Sequence, residues 1–162
     1  FTLQLDLAKM QKELGDEYII LLRTHYFIAD VLDLSEYEGF AYNLSKYDDI
    51  ARLYLISDVL ITDYSSVFFD YANLRRPMLF FTYDLEKYRS VLRGFYIDVE
   101  EELPGPMLMT TEEVIGALQN IENVVTEYSD KYTAFCDKYC AWEDGTAAKK
   151  VVETVFSDKS NK

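Results

Sequence analysis

The sequence predicts an α/β fold, a Rossmann-like unit with a mostly parallel sheet and helices on both faces. Short apolar runs typical of buried strands alternate with segments of helical periodicity. In 59–70, for example, a short apolar run is followed by a polar turn and then by helical spacing from Ser66 onward. Such alternation implies parallel strands joined by right-handed crossovers, with helices covering the sheet.

The first part of the chain contains two predicted helices and two predicted strands. Residues 3–14 have apolar side chains at helical spacing and are followed by Gly15, a common helix terminator. The apolar run 18–22 predicts a buried strand, and 40–44 predicts a second, shorter one. A helix is predicted over 48–56, with acidic residues in its first turn.

The second part continues the alternation. Pro77 ends one predicted helix and opens the next apolar run. In chain order, we predict strand 59–62, helix 66–74, strand 78–81, a loop with one or two helical turns over 83–92, an extended segment over 94–99, an exposed acidic corner over 100–102, a rigid turn over 104–106, and helices 110–121, 127–140 and 147–156. Residues 1–156 are expected to form one domain, and 157–162 a disordered tail.

Composition and charge exclude several classes of function. The formal net charge of −13 argues against a general surface for nucleic acid or an anionic membrane. No apolar run approaches the roughly 20 residues that cross a bilayer, and no signal peptide is visible. Cys136 and Cys140 are expected to be free thiols, because a metal site would need more ligands nearby. The chain begins at Phe1 rather than at methionine, so we expect a piece of a longer protein.

The strand–turn–helix junction within 59–70 is the first candidate site. A helix N-terminus leaves backbone N–H groups unpaired at the positive end of the helix dipole, and here Ser65 and Ser66 add hydroxyls beside them. This arrangement suits an anion, and phosphate is the commonest candidate. The alternative is that Asp63 or Ser65 simply caps the helix.

The end of the predicted strand 18–22 is the second candidate site. Arg23 and His25 follow it and point to the same side of an extended chain. Ligands of open parallel sheets bind at the carboxyl ends of the strands, so these two side chains can converge with Ser65 and Ser66. A lone histidine is otherwise more often a surface or core-edge residue. Neither a Gly-x-Gly-x-x-Gly motif nor a Walker lysine motif is present.

A series of motifs in a fixed order carries a family resemblance. They are Arg23-x-His25, Tyr47-x-Asp49-Ile50, Leu53-Tyr54, Ser57-Asp58, Leu60-Ile61-Thr62-Asp63-Tyr64-Ser65-Ser66, Phe69-Asp70, Pro77, Phe80-Phe81-x-Tyr83-Asp84, Tyr88, Arg93-Gly94-x-Tyr96-x-Asp98, Pro104-Gly105-Pro106, Thr110-Thr111 and Asp144-Gly145-x-Ala147. With them the sequence resembles the CDP-glycerol glycerophosphotransferase family of teichoic acid polymerases and primases. The resemblance covers nearly the whole chain.

The resemblance implies a fold and an activity. Family members are two-domain transferases of the GT-B architecture, and this chain resembles their C-terminal, nucleotide-binding half, so 1–156 would be the CDP-donor-binding domain. They move glycerol phosphate, or in relatives ribitol phosphate or a sugar, from a CDP-linked donor to a polyprenyl-diphosphate-linked acceptor. The reaction takes place at the cytoplasmic face of the cell membrane.

The resemblance also implies which residues bind the donor. The matching positions are Arg23, Thr24, His25, Ser65, Ser66 and Asp70. Of these, His25 is expected to be catalytic, and no metal or cofactor is required. A second family histidine, assigned as the base, lies in the N-terminal half and has no counterpart here, so we expect the isolated chain to be inactive without that half.

Three alternatives remain open from the sequence. One is a GT-B glycosyltransferase that uses another nucleotide-sugar. Another is a receiver-like signalling domain, in which Asp63 would accept a phosphoryl group, although such domains need an acidic pair after the first strand and this chain has Arg23-Thr24-His25. The third is a non-catalytic nucleotide-binding domain. The sequence does not predict an oligomeric state.

Overall fold

The computed structural model describes residues 3–24, 32–87 and 97–156, and these contain five short strands that pair only in parallel. One group of strands has the order β1-β2, and the other has the order β3-β4-β5. The strands are β1 Ile20–Leu22, β2 Ala41–Asn43, β3 Leu60–Thr62, β4 Met78–Phe81 and β5 Met107–Leu108. The predicted parallel α/β arrangement is therefore confirmed.

Helices account for most of the remaining described chain. In order they are α1 Leu7–Leu14, α2 Ile50–Ile56, α3 Val67–Tyr71, α4 Leu85–Lys87, α5 Val99–Glu102, α6 Thr111–Gln119, α7 Ile121–Tyr139 and α8 Ala147–Phe156, with 3₁₀ turns at Ser35–Tyr37 and Ala72–Leu74. None of the helices in these ranges is both long and apolar enough to cross a membrane.

The central strand β4 contributes to two separate cores. Leu79 and Phe81 pack in a first core with side chains of α1 and α6, while Met78 and Phe80 pack in a second core with α3, α5 and α7. All four residues of β4 are buried. Because successive side chains of a strand point to opposite faces, this division means that helices cover both faces of the sheet, as predicted.

The turn at 104–106 brings the chain very close to β4. A Cβ atom added to Gly105 would lie 1.9 Å from the backbone oxygen of Met78, so only glycine fits here. Directly after this turn, the Phe80 N–H donates to the Pro106 oxygen over 2.9 Å, and β5 begins. β5 was not predicted, because a strand of two residues leaves no recognisable pattern in the sequence.

Three predicted elements differ from the structure. The extended segment predicted over 94–99 is wrong at its described end, because Asp98 accepts hydrogen bonds from the N–H groups of Glu100 and Glu101 and so caps α5. The predicted acidic corner is this short helix. The helix predicted from residue 127 instead begins at Ile121. The predicted tail 157–162 lies outside the described residues.

Candidate functional site

The predicted site residues that the structure describes follow the carboxyl ends of two parallel strands. Arg23 and Thr24 come directly after β1, and the turn that carries Ser65 and Ser66 follows β3. This edge of a parallel sheet is where open α/β folds bind their ligands. His25, the predicted catalytic residue, lies outside the described residues.

Hydrogen bonds connect the end of β1 to the segment that follows β2. The Ser45 Oγ atom accepts a hydrogen bond from the Thr24 N–H over 3.0 Å and lies 2.9 Å from the Thr24 Oγ1. The Arg23 guanidinium donates to the backbone oxygen of Tyr47. These bonds hold the backbone that leads to His25, and they leave other guanidinium N–H groups of Arg23 for a ligand.

The turn after β3 exposes two serines at the start of a short helix. The Asp63 carboxylate accepts from the Ser65 N–H over 3.0 Å, so it stabilises the turn rather than the first turn of the helix. Ser66 immediately precedes α3, and among the described residues its side chain makes no capping hydrogen bond. Both serines are exposed. The alternative in which Asp63 or Ser65 merely caps the helix is therefore not supported, because no side chain in the described part of the chain caps α3.

A tyrosine in the same turn links it to the next strand's turn. The Tyr64 hydroxyl donates to the Asp84 carboxylate over 2.9 Å, and Asp84 follows β4. Burial, together with this hydrogen bond to the negatively charged Asp84, raises the pKa of Tyr64 well above its usual value. The hydroxyl therefore stays protonated and remains a hydrogen-bond donor at neutral pH.

Arg23 and Asp70 both act electrostatically on one buried hydroxyl. Burial is the main cause that raises the pKa of Tyr54, the Asp70 carboxylate raises it further, and the Arg23 guanidinium lowers it. The Tyr54 ring packs edge-on against Tyr71, the residue after Asp70, with 5.7 Å between ring centroids. Arg23, from the end of β1, and Asp70, from α3, therefore influence the same hydroxyl in opposite directions.

Several residues of this edge were given no role by the sequence analysis. They are Ser45, which fixes Thr24, the pair Tyr64 and Asp84, and the buried Tyr54. The positions of Ser45, Tyr64 and Asp84 carried a usable signal, because polar residues that follow parallel strands gather at one edge of the sheet. Tyr54 lies within α2 and carried no such signal. No group of three or more His, Cys, Asp or Glu side chains within the described ranges is arranged to hold a metal ion.

The fold and this edge define a Rossmann-like α/β unit of the kind that builds the GT-B transferases, with polar groups gathered at the carboxyl ends of its strands. The family is also clear from the sequence. A model of the family described as CDP-Glycerol:Poly(glycerophosphate) glycerophosphotransferase matches residues 1–157. The chain belongs to this family, which confirms the resemblance identified from its motifs.

Comparisons with individual proteins agree with the family. The chain is 54% identical over 156 residues to the teichoic acid poly(glycerol phosphate) polymerase of Bacillus subtilis strain 168, covering 96% of this chain and 21% of that protein. It superposes on the solved structure of the wall teichoic acid polymerase TagF with a TM-score of 0.88 and 47% identity, covering 98% of this chain and 39% of that one.

A variant of TagF soaked with CDPG gives the same likeness, with a TM-score of 0.88 and 47% identity over 96% of this chain and 39% of that one. The present chain therefore spans about a fifth of the Bacillus subtilis relative and about two fifths of the solved polymerase. At this level of identity the superposition confirms the predicted fold class, one Rossmann-like part of a GT-B architecture.

Proposed function

We propose that this chain is the donor-binding part of a transferase that moves glycerol phosphate from CDP-glycerol to a growing teichoic acid. The observation that carries the proposal is the likeness to TagF, a teichoic acid polymerase for which a CDPG-soaked structure exists. The 54% identity to a poly(glycerol phosphate) polymerase favours glycerol phosphate as the transferred group. The polar edge described above is where such a donor would bind.

The diphosphate of the donor would lie between the ends of β1 and β3. Ser65 and Ser66 offer hydroxyls at the start of α3, where an anion is favoured, and Ser66 adds a backbone N–H group, whereas the Ser65 N–H is bonded to Asp63. Arg23 can form a forked pair of hydrogen bonds with phosphate oxygens, because its guanidinium presents several N–H donors in one plane. Thr24, held by Ser45, keeps this strand end in position.

The transfer itself needs positioning and charge stabilisation. A hydroxyl of the acceptor attacks the phosphorus next to glycerol, the bond from that phosphorus to the bridging oxygen breaks, and CMP leaves with the bonding electrons. His25, when protonated, would neutralise the charge that develops on CMP. Asp70 would accept a hydrogen bond from a hydroxyl of the glycerol or the ribose. The general base for the acceptor hydroxyl would come from the N-terminal half.

The acceptor and its location follow from the same proposal. We expect a teichoic acid chain linked to a polyprenyl diphosphate, bound by the N-terminal half of the full-length protein. Since that lipid lies in the cell membrane and CDP-linked donors are cytoplasmic, the full-length protein would act at the inner face of the membrane. No metal, cofactor or nucleic acid is part of this proposal.

Calorimetric titration of the full-length protein tests the proposal. CDP-glycerol, CDP-ribitol, a UDP-sugar and CMP are compared with the wild type and with His25→Ala. CDP-glycerol should bind most tightly, and His25→Ala should weaken the diphosphate ligands more than CMP, because the proposal assigns the positive charge of His25 to the diphosphate linker.

Two results would contradict the proposal. Equal affinity for the UDP-sugar and CDP-glycerol would favour a glycosyltransferase that uses another donor. Binding of CDP-glycerol with no transfer to a teichoic acid acceptor by the full-length wild type would favour a non-catalytic nucleotide-binding protein.

A further inference from the structure

The hydroxyl of Tyr54 is buried without a hydrogen-bond partner. Within residues 3–24, 32–87 and 97–156 it is the buried side-chain nitrogen or oxygen atom for which no partner is found. A buried hydroxyl without a partner destabilises the fold, because its hydrogen bonds to water are lost and not replaced. Such a group therefore calls for an explanation, and a functional one is available here.

The Tyr54 side chain is held in place by its surroundings. Its ring packs edge-on against the ring of Tyr71, which is fully buried and whose hydroxyl donates to the Ser57 oxygen over 2.8 Å. The Arg76 guanidinium donates to the Leu55 and Ser57 oxygens over 2.9 and 2.6 Å, so it also secures the end of α2 that follows Tyr54. The hydroxyl is thus presented from a fixed ring on a fixed helix.

The carboxylate of Asp70, unlike the hydroxyl of Tyr54, belongs to an exposed residue. Asp70 precedes Tyr71 in α3 and is exposed, and its carboxylate makes no hydrogen bond or ion pair with the described residues. Asp70 directly precedes Tyr71, whose ring packs against the Tyr54 ring with 5.7 Å between centroids, and its negative charge raises the pKa of the Tyr54 hydroxyl. An exposed aspartate can change its rotamer at little cost, whereas the packed tyrosine ring cannot.

We propose that the Tyr54 hydroxyl donates a hydrogen bond to the Asp70 carboxylate when the donor is bound, and so fixes this carboxylate for its contact with the donor. This inference rests on the proposed function, in which Asp70 accepts a hydrogen bond from a donor hydroxyl. Tyr54 is then a positioning residue that acts through Asp70. Burial keeps its hydroxyl protonated, as this role requires.

A double-mutant cycle on the full-length protein tests the inference. The affinity for CDP-glycerol is measured by calorimetry for the wild type, Tyr54→Phe, Asp70→Ala and the variant with both substitutions. Tyr54→Phe should weaken binding about tenfold when Asp70 is present, the size expected for one hydrogen bond to a charged group. In the Asp70→Ala background the same substitution should change the affinity less than about twofold.

The melting temperature without ligand provides a second readout. Tyr54→Phe should leave Tm unchanged or raise it, because it removes a buried hydroxyl that has no partner. Tyr18→Phe is the matched control, since the Tyr18 hydroxyl donates to the Leu118 oxygen over 3.1 Å, away from the carboxyl ends of the strands. That control should lower Tm and leave the affinity for CDP-glycerol unchanged.

Each other outcome overturns a specific claim. If Tyr54→Phe costs the same affinity with and without the Asp70→Ala substitution, or costs none, the coupling between the two side chains is refuted. A fall in Tm as large as that of Tyr18→Phe would mean that the hydroxyl serves the unliganded fold, which also refutes the inference. Absence of CDP-glycerol binding to the wild type would instead refute the proposed function.

Discussion

The Tyr64 hydroxyl donates a hydrogen bond to the Asp84 carboxylate over 2.9 Å and thereby ties the turn after β3 to the turn after β4. Ser65 and Ser66 follow Tyr64 directly, so this bond fixes the backbone that presents both serines. It is made between parts of the chain that are twenty residues apart and joins neighbouring parallel strands at their carboxyl ends.

Tyr64→Phe should therefore weaken both the fold and donor binding. We expect the free energy of unfolding to fall by about 1–2 kcal/mol, because a part-buried hydrogen bond to a charged group is lost. The affinity for CDP-glycerol should fall about fivefold as the serine turn loosens. Urea denaturation and calorimetry measure the two effects. Tyr18→Phe should lower stability similarly without affecting affinity, and unchanged affinity in Tyr64→Phe would contradict a role for the link in the site.

Ser45→Ala should reduce donor affinity and lower the free energy of unfolding by no more than about 1 kcal/mol. The Ser45 hydroxyl holds Thr24 through contacts of 3.0 and 2.9 Å, and Thr24 lies between Arg23 and His25. Losing it removes about 1 kcal/mol of local hydrogen bonding, so we expect CDP-glycerol to bind about fivefold more weakly. Ser35→Ala, at the start of an exposed 3₁₀ turn, is the control. Equal affinities of the two variants would argue against this positioning role.

The interactions of the Glu102 carboxylate should make the free energy of unfolding fall in acid. Its carboxylate accepts from the Lys138 ammonium at 2.6 Å and from the Tyr139 hydroxyl at 2.7 Å, and these bonds lower its pKa to about 2. A carboxyl whose pKa is lower in the folded state than in the unfolded state stabilises the fold at every pH above its ordinary pKa of 4.5. This stabilisation disappears as the pH falls from 4.5 to about 2.

Glu102→Gln should therefore be less stable than the wild type near neutral pH, and the difference should vanish at about pH 2. Urea midpoints measured across this pH range test the expectation. Glu101→Gln, in the same short helix, should follow the wild type at every pH. A constant difference between Glu102→Gln and the wild type would mean that the carboxylate charge is not responsible.

Gly105→Ala should be strongly destabilising. The new methyl group would lie 1.9 Å from the Met78 oxygen, which belongs to the backbone of the central strand and cannot move aside. We expect the free energy of unfolding to fall by about 3 kcal/mol. Gly116→Ala is the control, because nothing lies within 4 Å of its added Cβ and the residue is in α6, so a gain of about 0.5–1 kcal/mol is expected. Similar denaturation midpoints for the two variants would contradict this account.

The sequence predicted elements well where local pattern decides them. β4 and α8 were predicted with their observed bounds, since one is a continuous apolar run after a proline and the other a periodic segment after a turn. The start of α7 was missed because Ile121 was assigned to the end of the preceding helix, 110–121. In the structure that helix ends at Gln119, and Ile121 begins α7 and packs against the first core together with Val124.

For the candidate site, the sequence located Arg23, Thr24, Ser65 and Ser66 beside two strand ends, and the structure places them there. It could not assign partners such as Ser45 to Thr24 or Asp84 to Tyr64. These contacts depend on which strands are neighbours in space, and no local periodicity encodes that order.

The assignment of alternate β4 side chains to the two cores has a thermodynamic consequence. Neither core can unfold alone, because unfolding one core exposes half of the buried side chains of β4. The other core packs against the same strand and is destabilised with it. Calorimetry of this domain should accordingly give a single transition, and the amide protons of β4 should be among the last to exchange with deuterium.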